Sequence, residues 1–553
     1  MLKLFKSSKS EKEEKEKKEK KKRRFSFRRK TVTIEDLIAG IVQVEPIIIL
    51  PVRENFKILE SYYVYEPFAK VHIVSIPEQG GALAYYLDEF RLTDEEKEVL
   101  EKLTDLLLSE MQPTEKIEDL RMYVIREFSR LADKYRAKFK LTGERRAKIT
   151  YYVERNLIGY GAIDPLMRDP NIEDISCDGV GRPVYVWHRK YESLPTNIIF
   201  NDADALNDLI LKLAHMAGKH VSVAFPIVDA MLPDRHRLAA TFGTEVSPRS
   251  ATFTIRKFRE KPFSVVELIS SGVINELIAA YIWLMLEHRR TLMVAGGTGA
   301  GKTTLLNALS MFIKPGMKIV TVEEIPELNL PHENWTQLTA RTSYAVGTMK
   351  TGEVSLFDLV KVSLRYRPDY IIVGEVRGEE AFVLFQAMAT GHGGMSTIHA
   401  ETLDYAIKRL TSPPMNIPTT YMKLMNMFLH IQRVVARRPD GRVVVTRRVT
   451  EVNEVVDYDD YRIVAKWNPK VDSHDVMLED SYLIKDLAER MGKGEAELLE
   501  EIEKRTIVLH WMLKNGITDV WDVSRIIFRY YYDPQSVFKM AVSALGEEVE
   551  AIK

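Results

Sequence analysis

Gly296, Gly301, Lys302 and Thr303 stand in the spacing G-x-x-x-x-G-K-T within RTLMVAGGTGAGKTTLLNALSMF, residues 290–312. That spacing has a chemical reason. Glycines let successive backbone N–H groups turn inward on phosphate oxygens, and the N-terminus of a following helix adds the positive end of its dipole. In such a loop the Lys302 ammonium reaches the β- and γ-phosphates of a nucleoside triphosphate, and the Thr303 hydroxyl ligates Mg²⁺. The run Gly296, Gly297, Thr298, Gly299, Ala300, Gly301, Lys302, Thr303 and Thr304 is therefore the candidate cradle for ATP and Mg²⁺. Its context agrees, because Thr291–Ala295 reads as a compact apolar strand and Thr304–Phe312 has helical spacing.

Three further clusters carry chemistry. Arg367-Pro368-Asp369 leads into the apolar Tyr370–Val373 and then Gly374-Glu375. A buried strand ending in a carboxylate is the metal-side partner of a phosphate loop, so Glu375 is expected to hold Mg²⁺ through water or to orient the attacking water. Lys318–Val322 reads as another strand, ending in Glu323-Glu324-Ile325-Pro326-Glu327. The C-terminal ends of strands are where open α/β sheets place ligands, and Glu323 is the expected general base. In TGHGGMSTIHA, residues 390–400, His392 and His399 are the candidates for sensing the γ-phosphate.

These groups must be positioned by a large scaffold. A chain of 553 residues is too long for one core and predicts two to four domains. Residues 1–30 form a basic tail with fifteen Lys/Arg against five Glu, a local charge of +10, which leaves about −10 on the remainder of a chain whose net charge is 0. Residues 31–145 read as a first, mixed and largely helical N-terminal domain, with a capping box in which Thr93 precedes Glu96 by three positions. Residues 146–258 read as a second, α/β domain and 259–265 as a linker. In 266–460 strands and helices alternate as in a mostly parallel sheet, and 461–553 are helical in pattern. No apolar run reaches the roughly 18–20 residues that span a bilayer, and the first residues lack an apolar signal core, so a cytoplasmic chain is expected. The single cysteine, Cys177, excludes a disulfide framework within one chain.

The phosphate loop, the acidic box Thr321–Glu327, the segment Arg367–Arg377 with Gly-Glu-Val-Arg-Gly at 374–378, and the histidine box Gly391–His399, in that order, resemble the secretion ATPase superfamily of type II and type IV secretion, type IV pili and archaella. The wording looks most like the archaeal branch, closest to the archaellum motor. The resemblance covers about residues 150–456. It implies a RecA-like ATPase domain preceded by a smaller α/β N-terminal domain, with extra helices at the C-terminus, assembled as a hexameric ring. It also implies arginines reaching over the nucleotide: Arg237 in Leu232–Arg237, Arg256 in Thr254–Phe258, and Arg341 in Thr339–Ser343. His236 stands where the family pattern has Gly nearby. The implied partner is a polytopic membrane platform at the inner face of the cell membrane. The basic run 9–30 reads as a solvated tail, and its end, RRFSFRRK, with alternating aromatic and basic residues, offers the alternative of an electrostatic contact with anionic lipid or an acidic partner. A nucleic-acid motor is the competing expectation, disfavoured by the acidic balance of the body.

Overall fold

The computed structural model describes residues 47–49, 53–110, 120–259, 261–341, 345–346, 349–350, 352–437 and 443–546. The basic run 9–30 lies outside the described residues. The chain divides into two compact units that meet in sequence at Phe258/Arg259.

The N-terminal unit is built on one sheet. Its strands are β1 (Ile47–Ile49), β2 (Lys57–Tyr65), β3 (Ala69–Ile76), β4 (Ala82–Glu89), β5 (Ile172–Cys177), β6 (Pro183–His188), β7 (Glu192–Phe200), β8 (Ile227–Met231), β9 (Arg237–Thr241) and β10 (Thr252–Arg256). The order is β2-β3-β4-β7-β6-β5-β10-β9-β8, with β1 on β7. Helices α1 (Asp94–Glu110), α2 (Leu120–Lys134), α3 (Gly143–Val153), α4 (Asp164–Arg168) and α5 (Ala203–Met216) complete the unit. The Thr93 capping box forms as the spacing predicts: Glu96 N–H donates to Thr93 Oγ1 at 3.2 Å, and Thr93 N–H donates to Glu96 Oε2 at 2.9 Å.

Where a boundary at 145/146 is expected, the sheet runs straight across. The reason is polar as well as apolar. Buried Asn197 on β7 accepts from Leu87 N–H and donates to Leu87 O, both at 2.8 Å, and so splices β4 to β7. Fully buried Asp169 accepts from Tyr62 of β2 at 2.7 Å and Tyr85 of β4 at 2.9 Å. Leaving that carboxylate without its donors would be costly, so the two stretches fold as one body.

The C-terminal unit holds nine strands in one sheet: β11 (Leu292–Ala295), β12 (Ile319–Glu323), β13 (Trp335–Thr339), β16 (Tyr370–Val373), β17 (Gly393–Ile398), β18 (Met427–Arg437), β19 (Val443–Asp457), β20 (Asp460–Asn468) and β21 (Ser473–Val476). A two-residue ribbon, β14 (Ala345–Val346) with β15 (Met349–Lys350), stands apart. The order is β13-β12-β16-β17-β11-β18-β19-β20-β21. The first six are mutually parallel, and β18 to β21 form an antiparallel meander. This is the expected α/β, RecA-like class, with an antiparallel extension that the alternation of strands and helices did not predict.

The helices are α6 (Val265–Ser270), α7 (Glu276–Glu287), α8 (Lys302–Ser310), α9 (Leu356–Ser363), α10 (Glu380–Ala389), α11 (Leu403–Thr411), α12 (Tyr482–Met491), α13 (Glu495–Lys514), α14 (Val520–Tyr532) and α15 (Pro534–Leu545). The segment ELIAAYIWLMLE of α7 is apolar on every face, the signature of a helix buried all round. The C-terminal helices share its core rather than forming a separate layer of their own. Trp283 stacks on Phe312 with centroids 5.2 Å apart, donates from Nε1 to Tyr531 Oη at 2.9 Å, and lies under the buried Arg505 guanidinium. Trp283→Ala is expected to destabilise this unit by about 3–5 kcal/mol. Denaturant titration of wild type and variant checks this, through a lower midpoint for the unit's transition.

No helix among the described residues is long and apolar enough to cross a membrane.

Candidate functional site

Strand β11 is completely buried, ends at Ala295, and feeds directly into the loop before α8. The glycines are there for steric reasons. Gly299 and Gly301 take φ of +71° and +94°, which L-residues with a Cβ rarely adopt. Gly296 approaches the neighbouring strand so closely that an added Cβ would stand 2.3 Å from the Ile431 carbonyl oxygen. Any side chain there would push the loop off β18.

Lys302 is the first residue of α8. Its Nζ donates to the Gly297 carbonyl oxygen at 3.0 Å and lies 3.4 Å from His399 Nδ1. Burial holds the ammonium below the ordinary lysine range, partly offset by the Glu375 carboxylate. Burial, with the Lys302 charge second, likewise holds His399 below its usual value. Lys302, His399 and Glu375 are thus one electrostatic cluster at the C-terminal edge of the parallel strands.

Glu375 follows β16 and is half-buried. It accepts from Arg377 Nη2 at 2.8 Å. Arg377 also lies 3.8 Å from Glu324, so one exposed guanidinium links the ends of β16 and β12. Glu323 ends β12 and is 2% exposed. Its Oε1 accepts from the backbone N–H groups of Glu327 and Leu328, both at 2.8 Å, and its Oε2 accepts from Gln337 Nε2 at 2.8 Å. Burial outweighs these three donors and pushes the carboxyl up to about 7.

The two histidines are separated. His399 follows the C-terminal end of β17, beside Lys302, whereas His392 precedes its N-terminal end. A six-residue strand spans roughly 20 Å, so His392 faces the opposite edge of the sheet. There its Nδ1 sits 3.1 Å from Ala387 O and 3.0 Å from Thr390 Oγ1, closing the end of α10. The spacing of seven put both in one motif, but the strand between them pulls them apart. Arg341 is exposed and donates from Nε to Gly352 O at 2.7 Å, bracing its own loop.

The sequence profile of the family described as "Type II/IV secretion system protein" matches residues 161–451, which include every element of this cluster. An uncharacterized protein of Methanocaldococcus jannaschii is 40% identical over 403 residues, covering 71% of each chain. The chain belongs to the type II/IV secretion system protein family. A Mycobacterium tuberculosis protein named for conjugal transfer is 35% identical over 256 residues, 45% of this chain and 71% of that one. Among solved structures, the pilus retraction motor PilT with bound ADP aligns at 18% identity and TM-score 0.37, over 61% of this chain and 88% of that one.

In this family member Arg237 and Arg256 belong to the N-terminal unit, directly opposite each other on β9 and β10. Arg237 Nη2 pairs with Asp229 at 3.1 Å and Arg256 Nε with Asp174 at 3.0 Å; the Arg256 side chain is largely open to solvent and that of Arg237 is half-buried. The turn before Arg237 is shaped by Arg235, at φ +63°, and by His236, whose Nδ1 accepts from Phe258 N–H at 2.9 Å. His236 therefore has a task of its own in this turn, which a glycine would not perform.

Arg447 of β19 donates from Nε to Gly299 O of the loop at 3.2 Å, and it, Gln337 and Arg377 are the residues beside these groups that sequence reading missed. Arg377 carries a local signal, two residues after Glu375. Gln337 and Arg447 carry none, because only the sheet register brings them there.

Proposed function

We propose that this chain is a Mg-ATP-hydrolysing motor of a type IV pilus-like filament machine, an archaellum or an archaeal pilus, at the cytoplasmic membrane. The observation that carries the reading is the cluster of Lys302, Glu375 and His399 around a loop whose glycines leave room for phosphates, with Glu323 packed beside Gly374 on the neighbouring strand. Thr303, in the first turn of α8, and Glu375 offer hard oxygen donors of the kind Mg²⁺ selects. They would hold the ion, which supplies charge neutralisation at the phosphates.

Lys302 exchanges the Gly297 carbonyl for the β- and γ-phosphates. Glu323, with its carboxyl raised into the neutral range, takes the proton of the attacking water. His399, next to Lys302, registers whether a γ-phosphate is present. Arg237, Arg256 and Arg341 are the arginines proposed to complete the charge clamp, in cis or from a neighbouring subunit of a hexameric ring; such a finger contributes about 10³–10⁵ in rate. His392, at the opposite end of β17 from His399, closes the end of α10 and takes no part in this chemistry. Loss of the γ-phosphate releases its contacts with Lys302 and His399, and a polytopic membrane platform receives the resulting motion.

A nucleic-acid translocase is the second reading, favoured by the relative named for conjugal transfer. ATP turnover of the purified full chain with anionic vesicles or with DNA separates the two. Stimulation by vesicles and not by DNA, lost when the basic run 9–30 is neutralised, is the expected result. Salt-sensitive stimulation by DNA alone would overturn the membrane reading.

A further inference from the structure

Arg447 reaches the phosphate loop from outside. It lies on β19 opposite Arg433 of β18 in antiparallel register, on the exposed side of the hairpin. Its Nε donates to the Gly299 carbonyl oxygen at 3.2 Å. A Cβ added at Gly301 would meet Arg447 Cδ at 3.2 Å and Nε at 3.7 Å, so the stem of the arginine packs along the loop as well.

The loop needs such a hold. Gly297, Gly299 and Gly301 have little intrinsic preference for one backbone course, and glycine loses more conformational freedom on ordering than any other residue. A planar trans peptide points its C=O and its N–H in opposite directions. Fixing the Gly299 oxygen outward on Arg447 therefore fixes the Ala300 N–H inward. The inside of the loop agrees: Ala300 N–H and Lys302 Nζ both donate to the Gly297 carbonyl oxygen, at 3.4 and 3.0 Å. Two donors converging on one acceptor are what a phosphate oxygen would receive.

We infer that Arg447 is a positioning residue of the phosphate loop, holding the Gly299–Ala300 peptide so that the Ala300 N–H faces the bound polyphosphate. The inference rests on the reading that the loop takes a nucleotide. It makes a specific demand. A backbone N–H serves any polyphosphate, so loss of Arg447 weakens ADP and inorganic tripolyphosphate alike, by about tenfold, the worth of one hydrogen bond to a charged group.

The experiment is calorimetric titration of ADP and of inorganic tripolyphosphate into wild type, Arg447→Ala and Arg447→Lys, with thermal midpoints and ATPase kinetics beside it. The expected result is a Kd raised about tenfold for both ligands in Arg447→Ala, with KM for ATP rising by the same factor, kcat falling less than about threefold and the midpoint unmoved. Arg447→Lys recovers most of the affinity, because one carbonyl needs only one donor. An unchanged Kd in Arg447→Ala overturns the inference, and so does a loss confined to ADP, which would place the guanidinium on the nucleoside. A lowered midpoint with affinity intact overturns it too, by making Arg447 a strand residue only. Failure of the nucleotide reading itself looks different: wild type then binds neither ligand.

Discussion

Lys302→Ala is expected to lower kcat/KM for ATP hydrolysis by about 10³-fold or more while leaving the protein folded. The size follows from what the side chain does alone. Among the described residues of the cluster it is the cation set inside the loop, and its Nζ makes one intraprotein bond to Gly297 O beside its contact with His399. No neighbouring lysine in the motif can take over. The stability consequence has the opposite sign from the usual one. Burial depresses the folded pKa of Lys302 below its unfolded value, so the unfolded chain binds more protons and stability rises with pH through the window between the two. At neutral pH the ammonium is therefore held at a cost, and the alanine variant should be at least as stable as wild type. A residue that weakens the fold and is needed for turnover marks a site rather than a scaffold. A coupled-enzyme ATPase assay with thermal unfolding at pH 7 checks both halves. Retained turnover in Lys302→Ala would remove the phosphate-loop reading, and a large fall in midpoint would make the lysine structural.

How much of this could be seen in the residues depended on whether the signal was local. The β11–loop–α8 unit is legible because glycine spacing, apolar strand and helix all lie within 23 residues, residues 290–312. The acidic ends of β12 and β16 are legible for the same reason, since a fully buried strand reads as an apolar run and its last carboxylate stands out. The splice between β4 and β7 is not, because it rests on Asn197 meeting Leu87 across 110 positions. The meander β18 to β21 is hidden in a different way. Its exposed face carries Arg433, Arg447 and Lys466 among valines, so half of each strand reads as solvated surface. His392 and His399 show the converse error. Proximity in sequence suggested one site, and an extended strand spends that proximity on distance.

Glu323→Gln is the sharpest test of the chemistry, because the base reading and the structural reading of Glu323 predict opposite results. The carboxylate is buried and engaged by three donors, which is enough to make it the organiser of the turn Glu324–Leu328. A glutamine would keep most of that turn: its amide oxygen accepts the same two backbone N–H groups, and the Gln337 amide can rotate to present its oxygen at the cost of its second bond, to Leu328 O at 3.2 Å. If organisation were its whole role, turnover would survive. If Glu323 takes the proton of the attacking water, kcat falls by about 10²–10⁴-fold. The pH profile separates the cases further. With the carboxyl pushed up to about 7, wild-type kcat should climb about tenfold per pH unit below that value and level off above it, and the variant should lose this limb. Stability runs the other way. A carboxyl raised in the fold stabilises fully below its unfolded value near 4.5, and that contribution is lost as pH rises through about 7. Wild type therefore carries a buried charge at pH 8 that Glu323→Gln does not, and the variant should match or exceed its thermal midpoint there. A variant that is stable at pH 8, silent in turnover and flat in its acid limb assigns the base to Glu323. A stable variant with wild-type turnover assigns the base elsewhere, and the half-buried Glu375, beside Lys302 and Arg377, is then the carboxylate to replace next.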